Sequence, residues 1–441
     1  MLAVDIGNTS IWFGKNGTWY ASGNPASNSN AAYTNLPSTE DLLVMCGDNY
    51  SSETPAIDVN FGQNPTFGGT VTAGTFTDSN GKGLFKYQPP SGFLALCEDN
   101  LPTPVIADPG KHFKTVLWTG DGSSGRGITG VGFQPDLVWV KSRTSTVQHY
   151  LVDVIRGVGN SLASNSTAAE TSATTQLLSF DDNGFSIGSS GGWNGSGNNY
   201  VAWCWKAGGA AVPNTDGTLS TQVSVNQTAG FSVATYTTPD GAATTFGHGL
   251  GKKPAFAVFK ARNNSGNWAV YHQSLGTNTI RLSTTGVEDT SADAFNSTAP
   301  TDTLMYLGTW AGTNGSNVNW VSYLWAEIEG YSKFGSYIGN QDADGPFVYC
   351  GFKPAFLLLK IANPSGSERD WHIYDSSRNS INPVGLNLRP SSDSVENDES
   401  GIDFLSNGFK LRYPWIFSNK NGAEYIFAAF AESPFQTAND K

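Results

Sequence analysis

Glu327 and Glu329 stand two residues apart at the end of an apolar run, and they come closest to a catalytic pair in this 441-residue chain. Side chains on a strand alternate between its faces, so both carboxylates would share one face. Two such carboxylates can serve as acid and nucleophile in sugar hydrolysis. Two related stretches of the chain, which run into Lys206 and Ser433, lack the pair. We therefore interpret the glutamates as a solvated strand end, with a glycan-cleaving or glycan-binding sandwich as an alternative.

Other motifs that resemble cofactor or metal sites lack the context that such sites need. Gly120 to Gly125 fits the glycine pattern of dinucleotide-binding loops, but Arg126 to Gly132 cannot form the helix that must follow. We interpret this stretch as a hairpin loop. No metal-binding spacing is found among the five histidines, which are His112, His149, His248, His272 and His372. We predict no catalytic residue, no cofactor and no metal.

Five residues remain as candidates for ligand binding. Asp153 and Arg156 lie three residues apart, and Asp375 and Arg378 repeat this spacing. A recurring acid–base pair either holds a turn by a salt bridge or binds a ligand, and we favour the salt bridge. Trp193 lies in a Gly-Trp-Asn-Gly stretch. An exposed ring in such a loop would suit packing against the face of a sugar.

These candidates belong to a repeat that organises most of the chain. Residues 132–141, 249–260 and 351–360 share a glycine turn, a proline, an apolar run and a final lysine. A second strand signal follows each lysine, and each copy closes on a strand rich in aromatic residues. Self-similarity of this kind indicates tandem domains. We predict three related β-sandwiches, with a linker at 208–226 between the first two; the sandwiches span residues 112–209, 227–329 and 330–436.

Local signals refine the prediction for each copy. Asn183-Gly184 and Asn407-Gly408 separate aromatic runs, which is a strong hairpin signal, and the middle copy lacks one. The alternation of apolar residues predicts seven or eight strands in each copy. Residues 166–176 are expected to form one short helix or a loop. The three lysines that end the shared stretches are at positions 141, 260 and 360. We expect their aliphatic side chains to pack on apolar surface and their ammonium groups to remain in solvent.

Composition indicates an all-β chain. Only 14% of the residues are charged, 12% are aromatic and 51 are glycines, as expected for short strands joined by turns. The formal net charge of −12 disfavours binding to nucleic acid. We find neither a secretory signal nor an apolar run long enough to span a membrane, so we expect no membrane insertion. The four cysteines are expected to be buried thiols.

Residues 1–105 form a different module. They carry D-x-x-x-x-x-I-W-F-x-x-N-G at 5–17, N-F-G-Q-x-P at 60–65 and P-P-x-G-F-L-A-L at 89–96. This set resembles the second half of a SPRY domain, which implies a concanavalin-like sandwich. The strands that normally precede the aspartate strand are missing, so the module is predicted to be partial. Because an unpaired strand invites another chain to pair with it, we expect Ala3 to Ile6 to pair either with a neighbouring subunit or with another protein of the same assembly.

The sequence of the third copy of the repeat resembles that of a known group of proteins. Its residues 339–349, 371–375, 402–410 and 430–435 resemble C-terminal repeats in tail-fibre-type structural proteins of marine tailed phages, and 132–205 is similar to the same group. The resemblance implies a virion setting and brings no catalytic residues with it.

We therefore expect a non-enzymatic bacteriophage virion protein, assembled in the host cytoplasm without a signal peptide. A tail fibre or similar appendage is the expected place, with attachment to a host-surface glycan or protein or to other virion proteins. Fibres are usually trimeric, so we expect three copies. A capsid decoration protein is the alternative.

Overall fold

The computed structural model describes residues 1–36, 61, 65–66, 69, 71–97, 100, 104–290, 292–363 and 369–433. The chain divides into two compact units, Met1–Thr103 and Pro104–Lys441, and each is described here by itself. Both units are built from antiparallel strands, which confirms the predicted all-β class.

The N-terminal unit contains one three-stranded sheet in its described residues, formed by β1 (Leu2–Asp5), β2 (Ser10–Lys15) and β3 (Thr18–Trp19). The predicted hairpin forms because Asn16 and Gly17 both take positive φ values, 51° and 83°. Strand β1 lies at the edge of this sheet. The stretch Ile57 to Asn60, expected to contribute to the same module, lies outside the described residues.

The second unit begins with a sandwich of nine strands and one four-residue helix, α1 (Gly191–Asn194). The strands are β4 (Phe113–Thr119), β5 (Arg126–Thr129), β6 (Leu137–Ser142), β7 (Tyr150–Asp153), β8 (Asn160–Ala163), β9 (Thr171–Ser172), β10 (Leu177–Asp181), β11 (Gly184–Ile187) and β12 (Asn199–Trp205). They form a large sheet in the order β4-β12-β6-β7-β8-β9 and a small sheet in the order β10-β11-β5. Residues 166–176 form a loop that contains the short strand β9, not a helix.

The second sandwich also has nine strands where the chain is described. They are β13 (Val212–Asn214), β14 (Thr221–Asn226), β15 (Phe231–Thr238), β16 (Thr244–Gly247), β17 (Pro254–Ala261), β18 (Ala269–His272), β19 (Ile280–Arg281), β20 (Leu304–Leu307) and β21 (Val318–Ala326). The stretch 208–226, expected to be a linker, supplies β13 and β14, which extend the large sheet β13-β14-β15-β21-β17-β18-β19. Because this copy lacks the Asn-Gly hairpin, its small sheet has two strands in the described residues, β16 and β20.

The described residues of the third sandwich, 330–363 and 369–433, contain eight strands. They are β22 (Ser332–Ile338), β23 (Phe347–Tyr349), β24 (Lys353–Ile361), β25 (His372–Asp375), β26 (Val384–Asn387), β27 (Asn397–Leu405), β28 (Gly408–Leu411) and β29 (Glu424–Ser433). The large sheet has the order β22-β29-β24-β25 and the small sheet β23-β28-β27-β26. The Asn407-Gly408 hairpin forms as predicted and pairs Phe404 with Phe409. A Cβ atom on Gly408 would lie 2.1 Å from the Val348 carbonyl oxygen, so only glycine allows this close pairing.

One strand order is common to the three large sheets. The opening strand pairs with the closing strand, the closing strand with the lysine strand, and the lysine strand with the strand that follows it, as in β4-β12-β6-β7, β15-β21-β17-β18 and β22-β29-β24-β25. The three stretches are therefore copies of one structural block, as their sequences predict.

The closing strands are buried on both faces. In β12, Ala202 and Cys204 point into the interior of the first sandwich, whereas Trp203 and Trp205 point into a core shared by all three sandwiches. Strands covered on both faces appear in sequence as nearly continuous apolar runs. Each sandwich contributes two aromatic rings from its opening, lysine or closing strand to the middle of this shared core: Phe113, Trp205, Phe231, Trp325, Phe356 and Phe430.

Candidate functional site

The Asp153–Arg156 pair forms a buried salt bridge at the end of β7. Arg156 Nε donates to Asp153 Oδ2, and both side chains are fully buried. Asp153 Oδ1 also accepts the Arg156 backbone N–H at 2.9 Å, so the pair holds the turn after the strand. Burial opposes the positive charge of Arg156, but Asp153, Tyr323 and Glu170 outweigh that effect and raise its pKa.

The Asp375–Arg378 pair repeats this geometry at the end of β25. Arg378 Nε donates to Asp375 Oδ2, the backbone N–H of Arg378 donates to Oδ1 at 2.8 Å, and both side chains are fully buried. The salt-bridge interpretation of the spacing describes both turns. Neither pair presents a free group to a ligand, because the charged atoms face protein on all sides.

Each pair joins two sandwiches. Tyr323, on the closing strand of the second sandwich, donates its hydroxyl to Asp153 of the first at 2.8 Å. Trp203, on the closing strand of the first sandwich, donates its indole N–H to Asp375 of the third at 3.0 Å. The aspartates therefore link the copies as well as capping their own turns.

Two glutamates extend these networks across the same interfaces. Glu170 accepts Arg156 Nη1 at 2.9 Å and Arg262 Nη2 of the second sandwich at 2.9 Å. Glu396 occupies the corresponding place in the third sandwich, where it accepts Arg378 Nη1 at 2.9 Å. Glu396 also accepts Arg143 Nη2 of the first sandwich at 2.7 Å.

The interface between the second and third sandwiches lacks the Asp–Arg pair but keeps a glutamate, Glu288, in the place of Glu170 and Glu396. His272 occupies the position of the aspartate and lies within 3.0 Å of the Phe427 carbonyl oxygen of the third sandwich through Nε2. Leu275 stands where the arginine stands in the other copies. The backbone N–H of Glu288 donates to the Ala362 carbonyl at 2.9 Å, as Glu170 does to Arg262 and Glu396 to Arg143. The three sandwiches thus contact one another in a closed cycle: first to second, second to third and third to first.

The repeated lysines lie at the same interfaces. The expectation that their ammonium groups remain in solvent is wrong. Lys141, Lys260 and Lys360 are fully buried. Lys260 Nζ donates to the Thr167 carbonyl of the first sandwich at 2.9 Å, and Lys360 Nζ donates to the Thr285 carbonyl of the second at 2.8 Å. Loops of the preceding sandwich cover Lys260 and Lys360, which sequence alone could not reveal, whereas Lys141 Nζ donates within its own sandwich to the Ser142 and Ser145 carbonyls. Burial lowers the pKa of Lys141 and Lys260 to about 8.

Trp193 is not an exposed sugar platform, which corrects the sequence interpretation. Its side chain is fully buried in the interior of the first sandwich, where its ring lies near Tyr150 and Phe185. Its carbonyl oxygen accepts the indole N–H of Trp118 at 3.0 Å. Helix α1 directs the Trp193 ring into the interior of the sandwich. The glycines beside Trp193 therefore allow close packing and do not expose the ring.

Sequence reasoning missed a buried asparagine in each copy. Asn194, Asn314 and Asn419 each lie six residues before the first aromatic residue of the closing strand. All three are almost completely buried. Asn419 Nδ2 donates to the Asp342 carbonyl at 2.8 Å, and its Oδ1 accepts the Asn340 N–H at 2.9 Å. The side chain therefore locks the loop after the opening strand, and the constant spacing was the signal that could have found it.

Glu327 and Glu329 lie just beyond the end of β21 rather than on it. Glu327 is partly exposed and accepts Lys333 Nζ at 2.7 Å, so its charge is neutralised. Glu329 is exposed. This arrangement is a strand end at the surface, as the sequence interpretation favoured.

The remaining motifs are structural where the chain is described. Residues 120–125 form a loop between β4 and β5, and a strand, not a helix, follows them. Within the described ranges, no group of three or more histidine, cysteine, aspartate or glutamate side chains could hold a metal ion. Cys204 and Cys350 are buried free thiols, Cys97 is a partly exposed one, and Cys46 lies outside the described residues. No helix in the described part of the chain is long and apolar enough to cross a membrane.

Together these contacts define a class of protein: a single-chain ring of three homologous β-sandwiches fastened through buried polar networks and one aromatic core. The chain belongs to the family described as a Domain of unknown function (DUF7483), whose model matches residues 108–434. The match spans all three sandwiches, so the family unit is the whole ring. No curated protein and no solved structure matches the chain.

Proposed function

We propose that this chain is a non-enzymatic structural protein of a bacteriophage virion, located in a tail fibre or similar appendage. The observation that carries the proposal is the closed cycle of buried contacts, in which Asp153, His272 and Asp375 each join one sandwich to the next. Such a cycle fixes three sandwiches as one rigid body, which suits a part that bears load. The resemblance of the third copy to tail-fibre-type repeats supports the virion setting.

The chemistry of the acidic candidates supports a role without catalysis. Glycosidase carboxylates act as a pair across the scissile bond, whereas Glu327 is bound by Lys333 and Glu329 lies past the strand end. The two Asp–Arg pairs are committed to salt bridges. These groups serve the architecture of the ring.

Attachment is the proposed task, either to the host surface or to other virion proteins. In the N-terminal unit, strand β1 is an edge strand of its described sheet. Its first residue, Leu2, is 44% exposed, and Ile6, which follows its last residue, is 53% exposed. Edge strands of this kind can pair with a strand of another chain. We propose that another virion protein pairs there and that the assembled appendage contains three copies of the chain.

Immunogold electron microscopy of purified phage particles tests the proposal. Antibodies raised against the full chain should label the tail appendages. Label confined to the capsid shell would support a decoration protein instead, and absence of the chain from purified particles would refute both placements. For the oligomer, light scattering after size exclusion should give three times the 46.9 kDa mass of one chain.

Activity measurements test the non-enzymatic part of the proposal. The purified chain should release no reducing sugar from host-surface polysaccharide. Release that Glu327→Gln abolishes would establish a glycan-cleaving enzyme and overturn this assignment.

A further inference from the structure

The second sandwich carries a surface cavity of about 270 Å³ between two loops. One wall is the loop after β17, which contributes Asn264, Ser265 and Asn267. The opposite wall is the loop before β21, which contributes Gly315 and Ser316. Trp320 is also a lining residue, but its side chain is almost fully buried in the interior of the sandwich. The described residues that line the cavity include no charged side chain. The size and the lining suit one small, neutral, polar ligand.

The first wall is held rigidly by the neighbouring sandwich. Lys260 Nζ donates to the Gly266 carbonyl at 2.6 Å and to the Thr167 carbonyl of the first sandwich at 2.9 Å. Ser265 Oγ donates to the same Thr167 carbonyl at 3.0 Å. Among the described residues, the exposed Asn264 amide forms no side-chain hydrogen bond that would hold it back from a ligand. A fixed wall with an available amide is suited to binding, because little order must be imposed when a ligand arrives.

The loop that forms the second wall also holds a buried acceptor without a partner among the described residues, on Asn314, which is not itself one of the residues that line the cavity. Asn314 Nδ2 donates to the carbonyls of Gly308 at 2.6 Å and Ala242 at 2.7 Å, which fixes the orientation of the amide. Its Oδ1 atom has no hydrogen-bond partner in the described structure, although the side chain is almost fully buried. In the first sandwich, the corresponding Asn194 Oδ1 accepts the Asp121 N–H at 3.1 Å. The second sandwich therefore differs from the first at the very loop that lines the cavity.

An aromatic ring backs the same wall. Gly312 lines the cavity, and a Cβ atom placed on it would lie 2.2 Å from the Trp310 ring. The Arg281 guanidinium lies over the ring of Trp310, 5.5 Å from the ring centroid. Glycine at position 312 therefore leaves the space that the Trp310 indole occupies against this loop.

We propose that this cavity binds one neutral sugar residue of a surface glycan. Amide and hydroxyl groups would bind the sugar hydroxyls, and the absence of lining charge disfavours acidic sugars. The inference rests on the proposed attachment function and names the ligand class for it. It assigns the binding to the second sandwich only, so one chain would carry one such site.

Saturation-transfer difference NMR on the full chain tests this inference, with D-glucose, D-galactose, D-mannose and N-acetyl-D-glucosamine as probes. At least one of these sugars should give a signal. The signal should be lost in Ser316→Trp, where an indole at an exposed wall position would fill the cavity, and weakened in Asn264→Ala. The matched control is Ser196→Trp, the corresponding exposed position of the first sandwich, which should retain the signal.

The outcomes separate this inference from the proposed function. Absence of signal from all four sugars, or equal loss in Ser196→Trp and Ser316→Trp, would overturn the sugar site. N-acetylneuraminic acid, which carries a carboxylate, is measured as a fifth probe, and signal from it alone would overturn the neutral specificity. None of these results bears on the immunogold experiment. The proposed location in the virion is tested by that separate measurement alone.

Discussion

Trp203 donates its indole N–H to Asp375 at 3.0 Å, although 172 residues separate the two in sequence. The bond joins the closing strand of the first sandwich to the turn after β25 in the third, and it therefore closes the ring. Both side chains are buried, and Arg378 shares the same carboxylate oxygen. The stability of the ring should depend strongly on this one carboxylate.

We expect Asp375→Asn to destabilise the chain by about 3–5 kcal/mol, because it leaves the buried Arg378 guanidinium without its closest countercharge. The free energy of unfolding from urea denaturation measures the effect. The control is Asp240→Asn, at an exposed loop position whose one hydrogen bond, from the Ala242 N–H, an amide oxygen can still accept. A loss no greater than that of the control would show that the network contributes little.

The interface between the second and third sandwiches shows how the Asp–Arg pair can be replaced by uncharged residues. We expect Arg378→Leu alone to destabilise strongly, because Asp375 stays buried without its partner. Asp375→His combined with Arg378→Leu copies His272 and Leu275, and it should destabilise less than the single change, because no unpaired ion remains. Urea denaturation of both variants decides the order. A double variant less stable than Arg378→Leu would contradict this account of the interfaces.

The hydrogen bonds of Asn419 to the loop after β22 lead to a separate prediction. Asn419→Ala removes the acceptor for the Asn340 N–H and the donor to the Asp342 carbonyl. Buried backbone groups left unpaired should destabilise the chain by about 1–3 kcal/mol, and the loop at 339–345 should be cut faster in limited proteolysis. Asn421→Ala, an exposed change two residues away, is the control and should leave the cleavage rate unaltered.

Acid should destabilise the ring through its buried histidines. Burial lowers the pKa of His272 from 6.5 to about 4, while the hydrogen bond to the Phe427 carbonyl opposes this shift. Between these two values the unfolded chain binds a proton that the folded chain does not, so stability falls as the pH drops from 6.5 to 4. His272→Gln should reduce this slope by about one proton, or about 1.4 kcal/mol per pH unit. An unchanged slope in urea denaturation across pH 4–6.5 would contradict the prediction.

Sequence patterns predicted the repeated block because strand alternation and turn chemistry are local properties. The Asn-Gly hairpins at 183–184 and 407–408 formed as expected, and the middle copy, which lacks one, has the smaller second sheet. The Asp–Arg spacing likewise predicted a salt bridge, since three residues is the reach of one turn. Strands β13 and β14 were missed because their stretch is rich in residues that are also typical of linkers.

The arrangement of the copies could not be predicted, because it depends on contacts between residues far apart in the chain. Every position of β12 from Tyr200 to Trp205 is buried, which indicates cover on both faces but not what provides it. The burial of Trp193 and of the lysines at 141, 260 and 360 has the same origin. Their side chains are ordinary surface candidates until a helix or a neighbouring sandwich covers them.

Hydrogen exchange in Trp205→Ala tests most directly whether the three sandwiches form one cooperative body. Trp205 contacts rings from all three copies in the shared core, including Phe231, Phe356 and Phe430. Its removal should destabilise the chain by about 3–5 kcal/mol. Mass spectrometry should then show faster exchange, by similar factors, in the closing strands at 199–205, 318–326 and 424–433. Phe13→Ala, in the N-terminal unit, should leave those strands unchanged; faster exchange in 199–205 alone would contradict the shared core.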